Sequence, residues 1–104
     1  MTAPVYLSDL AKQIYEQTAQ AFPDIQSGDP DLLTSYSQVS ALCEEMNTII
    51  QRDGLVTTNA RGYPAANQLL NPLKGYLREK ANLSEKIRKR FKPRAEVEQD
   101  SDFA

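Results

Sequence analysis

Apolar residues recur along this chain at helical spacing in three stretches, separated by turn-forming residues. Leu7, Leu10, Ala11, Ile14, Tyr15 and Phe22 share one face of an amphipathic helix running from about Ser8 to Phe22. Ser8 is placed to cap it and Pro23 to end it. Asp24 to Gly28 then reads as a short polar loop.

The next start signal is stronger. Asp29-Pro30-Asp31 sets a capping carboxylate, a proline at the first helical position and a second acid in the first turn. From there Leu32, Tyr36, Val39, Cys43, Met46 and Ile50 alternate spacings of four and three, and Leu33, Leu42 and Ile49 widen the stripe. The pattern predicts a helix to Arg52, roughly 35 Å long at 1.5 Å per residue, closed by Gly54. Such a seam packs either within its own chain or against other subunits. Its length favours self-association as strongly as an internal role.

Leu55-Val56-Thr57-Thr58, followed by Asn59-Ala60-Arg61-Gly62, forms either a small hairpin with Tyr63 or an extended connector. Helical character resumes near Asn67, with Leu69, Leu70, Leu73, Tyr76 and Leu77 on one face, and is expected to end near Asn82. Asn71-Pro72 either caps a helix there or kinks one already begun. Ser84 would cap a short last helix with Ile87 and Phe91 facing inward, and Pro93 would stop it. The pattern therefore predicts an all-α protein. It is a helical hairpin or bundle with one long central helix, a short hairpin-like connector and a short basic C-terminal helix. Residues 1–94 form one helical domain, and 95–104 an acidic tail expected to be disordered.

Composition narrows the function by what is missing. Among 104 residues there is no histidine and one cysteine, so the usual general base and the standard structural zinc sets are absent. The four glycines are scattered and build no phosphate-binding loop. The adjacent acids Glu44 and Glu45 point about 100° apart on a helix and do not converge on a metal. Cys43 lies within the apolar seam and reads as a small buried hydrophobe. Tyr15, Tyr36 and Tyr76 fall on apolar faces, which leaves Tyr63 as the tyrosine best placed for another role. The expectation is a protein with no catalytic residues, no metal and no cofactor. It has neither a membrane-length apolar run nor the features of a secretory leader, and so is expected in the cytoplasm.

Charge adds a positive indication. Residues 1–73 carry three basic and eight acidic side chains, residues 74–94 nine and two, and residues 95–104 none and four. The balances of −5, +7 and −4 total the net −2. Lys86, Arg88, Lys89, Arg90, Lys92 and Arg94 form the densest cluster, the candidate DNA-binding set. A solvated helix end whose cations complement the helix dipole explains the same charges. Repeated around an oligomer, the patch becomes multivalent and the DNA reading gains. The tail either folds back on the patch or docks on another protein.

One ordered set of features resembles a known family. Leu32-Leu33-x-x-Tyr36 opens a long helix that runs to Ile49-Ile50 and Gly54-Leu55. Gly62-Tyr63 then leads to Asn71-Pro72, and Leu83-Ser84 precedes Ile87-Arg88-x-Arg90-Phe91. This order, over roughly residues 7–91, is similar to the short, all-helical type of tailed-phage terminase small subunit. Leu83, Ser84, Arg88 and Arg90 match that family's closing element. Glu85 replaces its usual proline, and Phe91 its usual leucine. The resemblance implies a non-catalytic packaging-motor component that assembles into a ring, engages double-stranded viral DNA and regulates the large subunit holding the ATPase and nuclease. On that view Leu32, Tyr36, Val39, Cys43, Met46 and Ile50 serve oligomerisation, Lys86 to Arg94 serve DNA, and residues 95–104 contact the large subunit in the host cytoplasm.

Two other readings compete. A helical adaptor would use the seam to grip a partner helix and leave nucleic acid alone. A membrane-surface protein would use the basic helix, but only Ile87 and Phe91 are there to insert, which is too little apolar area.

Overall fold

The computed structural model describes residues 3–58 and 61–94. The first helix, α1 (Asp9–Ala21), begins where Ser8 Oγ accepts the Ala11 amide at 3.2 Å, as its spacing predicts. Ala11, Tyr15 and Ala19, on successive turns, form its buried stripe. The polar loop expected next is instead a single helical turn, α2 (Ile25–Gly28). Ile25 is fully buried and pins this turn to the core, so the segment folds around its one large apolar side chain.

The long helix, α3 (Pro30–Asp53), starts and stops on the residues the sequence marked. Asp29 Oδ1 accepts the Leu32 amide at 3.0 Å, and Pro30 occupies the first turn. Gly54 closes the helix with φ +92°, a conformation that favours glycine, while its amide bonds the Ile50 carbonyl.

The connector is a hairpin. Strand β1 (Val56–Thr58) pairs antiparallel with β2 (Pro64–Ala66), Val56 opposite Ala66 and Thr58 opposite Pro64. Asn67, buried beneath it, ties the hairpin to both long helices. Its amide donates to the Leu55 carbonyl at 2.9 Å, and its side-chain amide donates to the Gly54 carbonyl at 2.9 Å. Its Oδ1 accepts the Leu69 amide at 3.0 Å, which closes the turn leading into the next helix.

That helix, α4 (Leu70–Arg90), corrects the expectation of two helices and of a separate short basic one. Residues 78 to 85 contain neither proline nor glycine, and Ser84 sits half-buried in mid-helix instead of at a cap. Pro72 lies in the first turn, where amides have no intrahelical partner, so it neither caps nor kinks. The basic residues are the last turns of a 21-residue helix.

Helices α1 and α4 both lie against α3. The end of α4 meets the start of α3 through Arg90 and Asp29, so these two run antiparallel. One core joins Leu7, Tyr15, Ile25 and Leu33 to Ile87, with Leu32 and half-buried Tyr36 in it. A second joins Val39, Cys43 and Ile50 to Leu73, with half-buried Met46, Leu69 and Tyr76 alongside. Leu32, Tyr36, Val39, Cys43, Met46 and Ile50, whose spacing suited packing either within the chain or against other subunits, all contribute to these two cores, with Tyr36 and Met46 half-buried. At roughly 31 Å, α4 is long enough to cover the stripe that a second subunit would otherwise have met. The molecule is elongated, 67 × 27 × 19 Å.

Candidate nucleic-acid interface

Ile87 organises the basic end of α4. Its side chain is 2% exposed in the first core, so its angular position fixes the direction of every other residue in those turns. At about 100° per residue, Lys89 projects about 200° away from Ile87, toward solvent, and Lys86 and Arg88 project about 100° to either side. All three are exposed. Lys89 makes a 3.0 Å ion pair with Glu85 one turn back. Both groups are well solvated, and such a pair contributes little and yields readily to a stronger anion.

Arg90 differs. It pairs with Asp29 Oδ2 and lies over the Phe91 ring, 5.4 Å from the centroid. Sequence reasoning grouped it with the DNA-facing cations, but the structure commits it to the joint between α4 and α3. Lys92 and Arg94 follow the helix and are exposed. The structure therefore brings Lys86, Arg88 and Lys89 together on solvent-facing helix, and draws Arg90 aside.

Two cations outside the candidate set share the outer side of α4. Lys74 and Arg78 are exposed and lie about 140° and 180° from Ile87 on the same helix. The run Lys74, Arg78, Lys89 spans roughly 22 Å along the axis. Its signal was present in the spacing and was hidden by the expected break near Asn82. Cations at the helix C-terminus also match the dipole, which stabilises the turns carrying them.

Two carboxylates share α4, Glu79 and Glu85, the second on the same outer side as Lys89; the rest lie on other elements or beyond the helix. Glu44 and Glu45 are exposed on α3, and Glu45 borders an open groove of about 420 Å³ with Tyr6, Leu7 and Leu42. Burial pushes the Cys43 thiol up from its ordinary value, against the pull of Lys80. Among the described residues no three His, Cys, Asp or Glu side chains gather into a metal-sized group. No helix among them is long and apolar enough to cross a membrane. Residues 95–104, expected to contact a protein partner, lie outside the described residues. Comparison of the chain with protein-family models, curated proteins and solved structures finds no match.

Proposed function

We propose that this protein is the non-catalytic small subunit of a phage DNA-packaging terminase. In this reading it self-assembles, in a ring as the family does, engages double-stranded viral DNA in the host cytoplasm, and regulates the large ATPase and nuclease subunit. One observation carries the DNA part. The solvent side of α4 presents Lys74, Arg78, Lys86, Arg88 and Lys89 against two acids on the same helix, Glu79 and Glu85, the second paired with Lys89. The residue order from Leu32 to Phe91 supplies the family. A cationic helix face reads phosphates and not bases, so binding would be sequence-tolerant and steeply salt-dependent.

The test is a titration of labelled duplex DNA at several salt concentrations. Lys86→Gln, Arg88→Gln and Lys89→Gln together are expected to lower affinity at least tenfold and flatten the salt slope, with folding intact. Unchanged affinity sinks the assignment. The groove beside Tyr6 and Leu42, both exposed, supports a second reading as a helical adaptor that binds a protein partner. An absence of DNA binding at low salt would select it.

A further inference from the structure

The hairpin exposes apolar side chains beside an open strand edge. A chain with 25% charged residues places none on β1, on β2, or on Gly54, Leu55 and Asn67 beside them. Leu55 is 65% exposed and Val56 63%, so large apolar side chains stand in water there. Two strands alone are marginally stable, and an exposed edge is normally blunted by lysine, proline or a bulge.

The two edges are not equivalent. The Asn67 amide bonds the Leu55 carbonyl, which sets the alternation of the ladder. Thr57 and Ala65 face each other's backbone groups, and those of Val56 and Thr58 on one strand and Pro64 and Ala66 on the other point outward. Pro64 has no amide hydrogen, so the β2 edge is blunted in the usual way. The β1 edge retains every donor and acceptor.

We propose that the β1 edge docks on β1 of a second copy, antiparallel across a two-fold axis, giving a four-stranded sheet in the order β2-β1-β1-β2. The Val-Thr-Thr strand is self-complementary in this register. Val56 stands opposite the partner's Thr58, and Thr57 opposite the partner's Thr57. All are β-branched, and no like charges meet. The outward groups of Val56 and Thr58 supply four hydrogen bonds across the axis. The hairpin joins α3 to α4 at the end of this elongated molecule opposite the Asp29–Arg90 pair, where Leu55 and Val56 are exposed. This rests on the self-assembly part of the function proposed above, to which it adds a two-fold contact that joins subunits in pairs and leaves the ring contact to another face; it is independent of the DNA-binding part.

Solution mass by light scattering across concentration tests it, with Thr58→Pro as the first variant. That proline removes an outward amide and leaves the internal ladder intact. Val56→Lys, which puts a charge on the edge, is the second variant in case the first disturbs the turn. Wild type is expected at twice 11.7 kDa or more. Each variant is expected to lower that mass at least twofold with an unchanged helical melting profile. Thr57 and its partner form a non-hydrogen-bonded pair, close enough for Thr57→Cys to form an intermolecular disulfide that buried Cys43 does not form. Association untouched by both variants, or no Thr57→Cys crosslink, overturns edge pairing while self-assembly stands. A monomeric wild type at every concentration overturns both, and the DNA titration still judges DNA binding separately.

Discussion

Asp29 joins two helix ends with one carboxylate: Oδ1 accepts the Leu32 amide at the start of α3, and Oδ2 pairs with Arg90 in the last turn of α4. The chain separates them by 61 positions, so the bond closes the outer end of the α3–α4 pair. It also explains why Arg90 differs from the neighbouring cations. Phe91 sits over Gly28 at the same joint, and the residues beyond α4 leave from that point.

The joint has a defined pH response. The bond from the Leu32 amide, then that from Arg90, hold the Asp29 carboxyl below its ordinary value of 3.8. A depressed folded-state pKa contributes stability that is fully present above the unfolded value and is lost as pH falls through the folded one. Asp29→Asn keeps a capping oxygen and removes the charge. Thermal melts are therefore expected to show wild type more stable at neutral pH, with the difference shrinking as pH drops below about 3.8. A pH-independent difference would remove the ion pair from the account.

Gly28 closely approaches Phe91. A Cβ there would lie 2.6 Å from Phe91 Cε1, so Gly28→Ala must shift the ring. The ring is the far end of a half-buried side chain, and alanine suits a helical turn better than glycine, so the net loss is expected to stay below about 1 kcal/mol, read by denaturant unfolding. Pairing Gly28→Ala with Phe91→Ala should recover part of the loss, because the clash is then gone. Additive losses in the double variant would place the cause elsewhere.

Asn67 holds the hairpin to the helices through its backbone amide and both side-chain polar atoms. Asn67→Ala leaves the Gly54 carbonyl and the Leu69 amide without these partners, at about 1–3 kcal/mol. Hydrogen exchange is expected to quicken first at Leu69 and in the hairpin, with the middle of α3 protected as before. Uniform acceleration across the chain would contradict a local role.

Ser40 runs the other way. Its hydroxyl is buried in α3 with no hydrogen-bond partner among the described residues, whereas Ser37, also buried, donates to the Leu33 carbonyl at 2.7 Å. Ser40→Ala removes an unsatisfied group and should raise stability by about 1 kcal/mol, and Ser37→Ala should not. A higher melting temperature for the first alone is the expected result.

Local chemistry made much of the fold legible. Ser8, the Asp29-Pro30 pair and Gly54 mark helix ends because capping is settled within a few residues. The inward direction of Ile87 followed from spacing alone. The missing histidine and the charge segregation directed attention to the end of α4. Three other features were decided by tertiary contact. Ile25 turned a polar loop into a helical turn, because burying one large side chain outweighs local polarity. Val39, Cys43 and Ile50 met Leu73 of their own chain, because an apolar seam does not specify its partner and α4 lay within reach. Arg90 left the cationic face for Asp29, because a pairing across 61 positions leaves no periodic trace in a sequence.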